Sequence, residues 1–150
     1  MPLAPPGVAR RWSVIGHKND HRECTTILDL PDDDRAHVVL HPGGVTAYTV
    51  RIARPAIQML LDTIESGNAC AVPAAHPVHG GRLLCLRPAT LPNEPPWTDR
   101  PADAPPYLGP MELYVRLPRA EFSMIFRRER LLQLATVLAE ILIVENPVAR

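Results

Sequence analysis

The chain has 150 residues, 46% of them apolar and 21% charged, and sixteen basic side chains balance sixteen acidic ones for a formal net charge of zero. That length suits one domain with a core of its own. Zero net charge argues against a generic polyanion binder unless the charge is segregated on the surface, and no apolar run approaches the roughly 20 residues a bilayer-spanning helix needs.

Residues 1–9 are proline-rich, carry no apolar leader segment and are expected to fray. A cytoplasmic location with no membrane attachment is the expectation. Residues 11–17 and 24–30 read as strands separated by a turn of composition KNDHRE. Residues 31–35, PDDDR, form an acidic turn. Residues 37–41 and 45–53 bracket Pro42-Gly43-Gly44 and read as a hairpin, since proline presets one φ and glycine accepts positive φ. The second strand alternates, with Tyr48, Val50 and Ile52 on one face. Pro55 then opens a helix. Ile57, Leu60, Leu61 and Ile64 fall on one stripe at helical spacing, and Gly67 caps the end.

Residues 82–87 (RLLCLR) read as a short buried strand. Residues 88–110 hold eight prolines, so that stretch is expected to be a long surface loop, partly polyproline II, tacked down by Trp97 and Tyr107. Residues 111–116 and 120–127 form a second hairpin. A helix follows over 129–144, with Leu131, Leu134, Leu138 and Leu142 inward and Ile141 and Ile143 widening its apolar face. Asn146-Pro147 stops it.

Residues 47–64 and 121–138 overlay without a gap at an offset of about 74 residues. Tyr48 falls on Phe122, Ile52 on Phe126, Arg54 on Arg128 and Leu60 on Leu134. In both stretches the apolar period changes from 2 to 3.6 at the same point, so a strand runs into a helix. The fold class is therefore α+β, with two pseudo-repeated units of antiparallel β-meander followed by one helix. The expected divisions are a frayed 1–9, a first unit over 10–68, a linker over 69–110 and a second unit over 111–150 whose sheet residues 82–87 join.

This element order, the repeat length and the strand-to-helix passage through Pro55 over residues 50–61 resemble the PC4-like and Whirly-like single-stranded-DNA-binding proteins. In those families a unit of four antiparallel strands and one helix is used twice, by dimerisation or by internal duplication. The resemblance implies a nucleic-acid-binding activity, although residues 11–30 lack the families' basic DNA-facing pattern.

The candidate chemistry is mainly arginine. Fifteen arginines stand against the single Lys18, a bias that GC-rich coding produces and that also favours bidentate anion contacts. Arg51 and Arg54 precede the first helix, and Arg127, Arg128 and Arg130 flank the second. Basic groups are locally unfavourable beside a helix N-terminus unless an anion binds there or solvent takes them up. The expected contact set is Arg10, Arg11, Trp12, Lys18, Arg51, Arg116, Arg127 and Arg128. Trp12 is its stacking residue, because the other aromatics are few and Tyr48, Phe122 and Phe126 lie on core faces.

A second set, Cys70, His76, His79 and Cys85, offers zinc-type donors at a spacing that matches no standard finger. His17, His21 and Cys24 are weaker still. Three cysteines at unrelated spacings do not make a disulfide framework. No nucleophile-elbow, P-loop or dinucleotide motif occurs. No cofactor is expected, and catalysis is the least favoured class. The leading function is binding of single-stranded DNA or RNA. The alternative is a regulatory or protein-interaction module that self-associates through its C-terminal helix.

Overall fold

A computed structural model describes residues 5–18, 21–89 and 109–144. The fold is α+β, as the sequence pattern requires. Strands β1 (Val8–His17), β2 (Glu23–Pro31), β3 (His37–His41) and β4 (Val50–Ala53) lead into helix α1 (Arg54–Ser66). Strands β5 (Cys70–His76), β6 (Gly80–Pro88), β7 (Met111–Leu117) and β8 (Ala120–Phe126) lead into helix α2 (Arg128–Ile143). Every strand pairs with its sequence neighbour, antiparallel, and β8 returns to β1 to close a barrel.

The closure is uneven. Within β1–β4 and within β5–β8 the ladders run for several residues, such as the seven pairs from Met111↔Phe126 to Leu117↔Ala120. The two halves join through single pairs, Arg51↔Ala75 between β4 and β5 and His17↔Ile125 between β8 and β1. The helices fill these seams. Helix α1 packs against β4 and β5, α2 against β8 and β1, and the helices pack on each other. Pro73 fits in β5 because that strand has a full ladder partner on one side alone, where a missing N–H is tolerated.

Inward residues of all eight strands and the apolar stripes of both helices form one core, with Leu28, Ile52, Leu84, Met111, Phe126 and Leu131 fully enclosed. Leu60 and Leu134 lie in it at 3% and 5% exposure and line the same small apolar space. Two side chains from the first half of the chain reach α2. Trp12 Nε1 donates to Glu140 Oε2 at 2.8 Å. Arg54 Nη2 donates to the carbonyls of Ile141 (2.7 Å) and Val144 (3.1 Å), so the first residue of α1 caps the C-terminus of α2, where a cation is favoured.

Several expectations need correction. Tyr48 does not lie in a strand. Residues between β3 and β4 form two 3-10 turns, Pro42–Gly44 and Thr46–Tyr48. There Gly43, at φ 61°, tucks beneath the Phe122 ring and donates its N–H to Thr26 Oγ1. Tyr48 reaches β8 instead, its ring 5.4 Å from that of Phe122 and its hydroxyl on the Glu121 carbonyl. Residues 70–76, assigned to a linker, are strand β5. Strand β1 starts at Val8, inside the stretch expected to fray. Trp97, Tyr107, most of the proline-rich stretch and Asn146-Pro147 lie outside the described residues.

Leu60→Ala and Leu134→Ala should each cost about 2–5 kcal/mol, the range for buried leucines. Denaturant melts of the two variants check this. An unchanged midpoint for either would refute its place in the core.

Candidate nucleic-acid interface

The eight residues expected to contact nucleic acid do not form one surface. Arg11 and Arg51 project from the outer face of β1 and β4, and both meet carboxylates. Arg11 grips Asp29 with two bonds, Nε to Oδ1 at 2.7 Å and Nη2 to Oδ2 at 2.8 Å. Asp29, itself 3% exposed, also takes His41 Nε2 at 2.9 Å, and His41 Nδ1 lies 3.0 Å from Thr49 Oγ1. Neutral His41 is therefore protonated on Nε2 and accepts the Thr49 hydroxyl on Nδ1, because a carboxylate only accepts. Arg51 Nη1 bonds Asp34 Oδ2 at 2.6 Å, and His37 Nδ1 shares that carboxylate.

Burial by itself would raise the Asp29 pKa. The Arg11 and His41 hydrogen bonds outweigh it and hold the group below the usual carboxylate range. Asp34 is held low chiefly by its bond to His37, against a smaller effect of burial, with the Ala36 N–H and Arg51 adding to the His37 effect.

Trp12 is removed from the stacking role. It is 3% exposed, bonded to Glu140 and covered by the Arg10 guanidinium 4.6 Å from its ring centre. Arg10 also lies 3.6 Å from Glu140. Inward alternation from Val14 carries through Trp12 to Arg10, so both sit against α2 rather than on the outer sheet.

Three of the expected residues do come together. The turn after β1 and the joint between β8 and α2 meet at one end of the barrel, joined by the His17↔Ile125 pair. Arg127 Nε lies 3.2 Å from His17 Nε2, His17 stacks with His21 at 6.3 Å, and Lys18 Nζ sits 4.6 Å over Phe122. Arg128 opens α2, and Arg130 Nη2 is 4.0 Å from Glu23. Residues 17–23 and 127–130 carry five Lys or Arg side chains against Asp20, Glu23 and Glu129. This is the segregation that a neutral chain needs before it can attract a polyanion. The partial positive charge of the α2 N-terminus adds to it. His17, His21 and Arg22 were not in the expected set, and the fold rather than any motif brings them there.

Arg116 stands elsewhere, on the outer face of β7. With Gly81, Arg82, Leu83, Cys85 and Tyr114 it lines a shallow hollow of about 540 Å³. The alternation of RLLCLR marks Leu83 and Cys85 as one face, which is the sequence signal for this surface.

The cysteine–histidine set does not converge. Cys70 shares the inward face of β5 with Val72 and Ala74, whereas Cys85 faces outward between Leu84 and Leu86. Burial pushes the Cys85 thiol up, away from the thiolate a metal would need. His76 is consumed by the backbone, donating from Nε2 to the Ala47 carbonyl and accepting the N–H groups of Val78 and His79 on Nδ1. Among the described residues no three His, Cys, Asp or Glu side chains are grouped to hold a metal ion. No helix among them is long and apolar enough to cross a membrane.

Compared with known proteins, the chain matches no family model, no curated protein and no solved structure.

Asp29 gives a pH prediction. Its folded pKa lies below its unfolded one, so its contribution to stability is complete above about pH 4 and is lost as pH falls through the folded value. Stability measured by denaturant titration should fall as pH drops below about 4. Asp29→Asn should be less stable at neutral pH and show a shallower acid limb. An identical limb in wild type and variant would remove Asp29 from that role.

Proposed function

We propose that the protein binds single-stranded DNA or RNA through phosphate contacts at the basic end of the barrel. The carrying observation is the meeting of Lys18, Arg22, Arg127, Arg128 and Arg130 with His17 and His21, where the turn after β1 meets the start of α2. Guanidinium forks and the N-terminal helix dipole both favour phosphate there. The order of four strands and a helix, followed by four strands and a helix, supports the same reading through its resemblance to PC4-like and Whirly-like proteins. On this reading the two halves are copies of one unit and the site of action is cytoplasmic. Arg11 and Arg51 contribute little, because Asp29 and Asp34 hold them, whereas Arg116 belongs to a separate surface.

A second reading is self-association through the C-terminal helix, and it rests on Ile143, 78% exposed at the end of α2. Ile141 is enclosed, and Leu142 and Val144 pack on the core, so that helix offers a partner little further apolar surface at this point. Sedimentation of the purified protein separates a monomer from the dimer this reading requires.

Anisotropy titrations with a labelled oligonucleotide test the first reading. Binding should be weak, on the order of micromolar, and should fall with salt as each neutralised phosphate releases counterion. Lys18→Gln with Arg127→Gln should weaken binding to all sequences alike and lower the log–log salt slope by roughly 1–2, with the melting temperature little changed. Absence of binding to any oligonucleotide at about 50 mM salt would end this reading.

A further inference from the structure

The hollow on the outer face of β6 and β7 lies across β8 from the basic end and differs from it in chemistry. Tyr114 stands on β7 opposite Cys85. Its hydroxyl donates to Glu121 Oε2 at 2.7 Å, which fixes the ring and raises the phenol pKa. The Arg87 guanidinium lies 4.9 Å from the ring centre and is itself bonded to Glu112. Arg87 is two residues along β6 from Cys85 in one direction, and Leu83 is two residues along in the other. The hollow therefore opens on the side of Tyr114 away from Arg87, toward Leu83 and Arg116. Leu83 is 55% exposed, a large apolar side chain on a sheet face with no described cover.

We infer that this hollow takes one nucleobase of a bound single strand. The base stacks on Tyr114 and against Leu83, and Arg116 takes its carbonyl or an adjoining phosphate oxygen. An aromatic ring with guanidinium groups around it is a stacking platform that accepts any base. The hollow and the phosphate site lie on opposite sides of β8, where Tyr114 pairs with Ser123 and His17 pairs with Ile125, two residues further along that strand. The inference rests on the single-strand reading above, and it adds what that reading lacks, a reason for preferring an unpaired strand. A duplex keeps its bases stacked inside and has none to offer.

The test compares a labelled oligodeoxythymidine with an abasic strand of the same length, using the full chain. Wild type should bind the thymidine strand more tightly by roughly 5- to 150-fold, the range for one stacked base. Tyr114→Leu should erase that difference and leave affinity for the abasic strand unchanged. Tyr114→Phe, which keeps the ring, should retain it. Leu83→Asp, a change at an exposed position, should also abolish the preference without lowering the melting temperature. Equal binding of the two strands by wild type would overturn the base site while leaving the phosphate site standing. If neither strand binds, both readings fall together.

Discussion

Two seams control this molecule. A sheet that closes through a single residue pair at each of two places has little ladder energy there, and the strand edges on either side of that pair are left without a ladder partner. The helices supply what the ladder lacks. Each lies across one seam, and the two meet over the core, so apolar burial holds the barrel shut where hydrogen bonds do not. Arg54 and Trp12 fasten the arrangement. They belong to the first half of the chain, and both bond to the C-terminal part of α2. The constraint also explains the local irregularities. Tyr48 leaves the strand path to reach the Glu121 carbonyl and the Phe122 ring, and Gly43 lies under that same ring where a Cβ would collide with it.

The arginines divide according to the same geometry. Those on long ladders of the first half face acidic neighbours, and the pairs Arg11–Asp29 and Arg51–Asp34 leave the outer face of β1–β4 close to neutral. The more exposed of the two, Arg51–Asp34, adds modest stability. Positive charge accumulates instead at the β8–β1 seam, where a turn and a helix N-terminus meet. A formal charge of zero over the whole chain therefore coexists with an end where five basic side chains stand against three acidic ones.

Much of the fold was legible because periodicity is a local property. Strand β3 and helix α1 follow from alternation and from Pro55 and Gly67, with Gly67 found at φ 75° as the cap. The hairpin of β7 and β8 follows from two alternating runs. Strand β5 was not legible, since its sequence CAVPAAH is poor in β-branched residues and contains a proline that reads as a breaker until the open seam is known. Trp12 looked like a surface residue because arginines precede it, yet strand alternation with Val14 places it inward. Arg54 looked like an anion ligand, and its acceptors lie 87 and 90 residues away in sequence. No local pattern predicts a helix cap supplied from that distance. The candidate site shows the same limit. Lys18, Arg127 and Arg128 were identifiable as charges, but their assembly with His17 and His21 depends on the closing pair between β1 and β8.

The Trp12–Glu140 bond spans 128 residues of sequence. Strand β1 leaves the ribosome well before its seam partners, β8 and α2. At about 5–20 residues per second of synthesis, the nascent β1–β4 meander spends several seconds with its outer strand edge and the apolar side of α1 uncovered. Contacts of such long range also slow folding once the chain is complete. The chain is therefore exposed to mispairing during translation. Fusing a second copy of the β5–α2 half downstream would present β1 with a competing partner, and two linked chains would have the means to exchange halves.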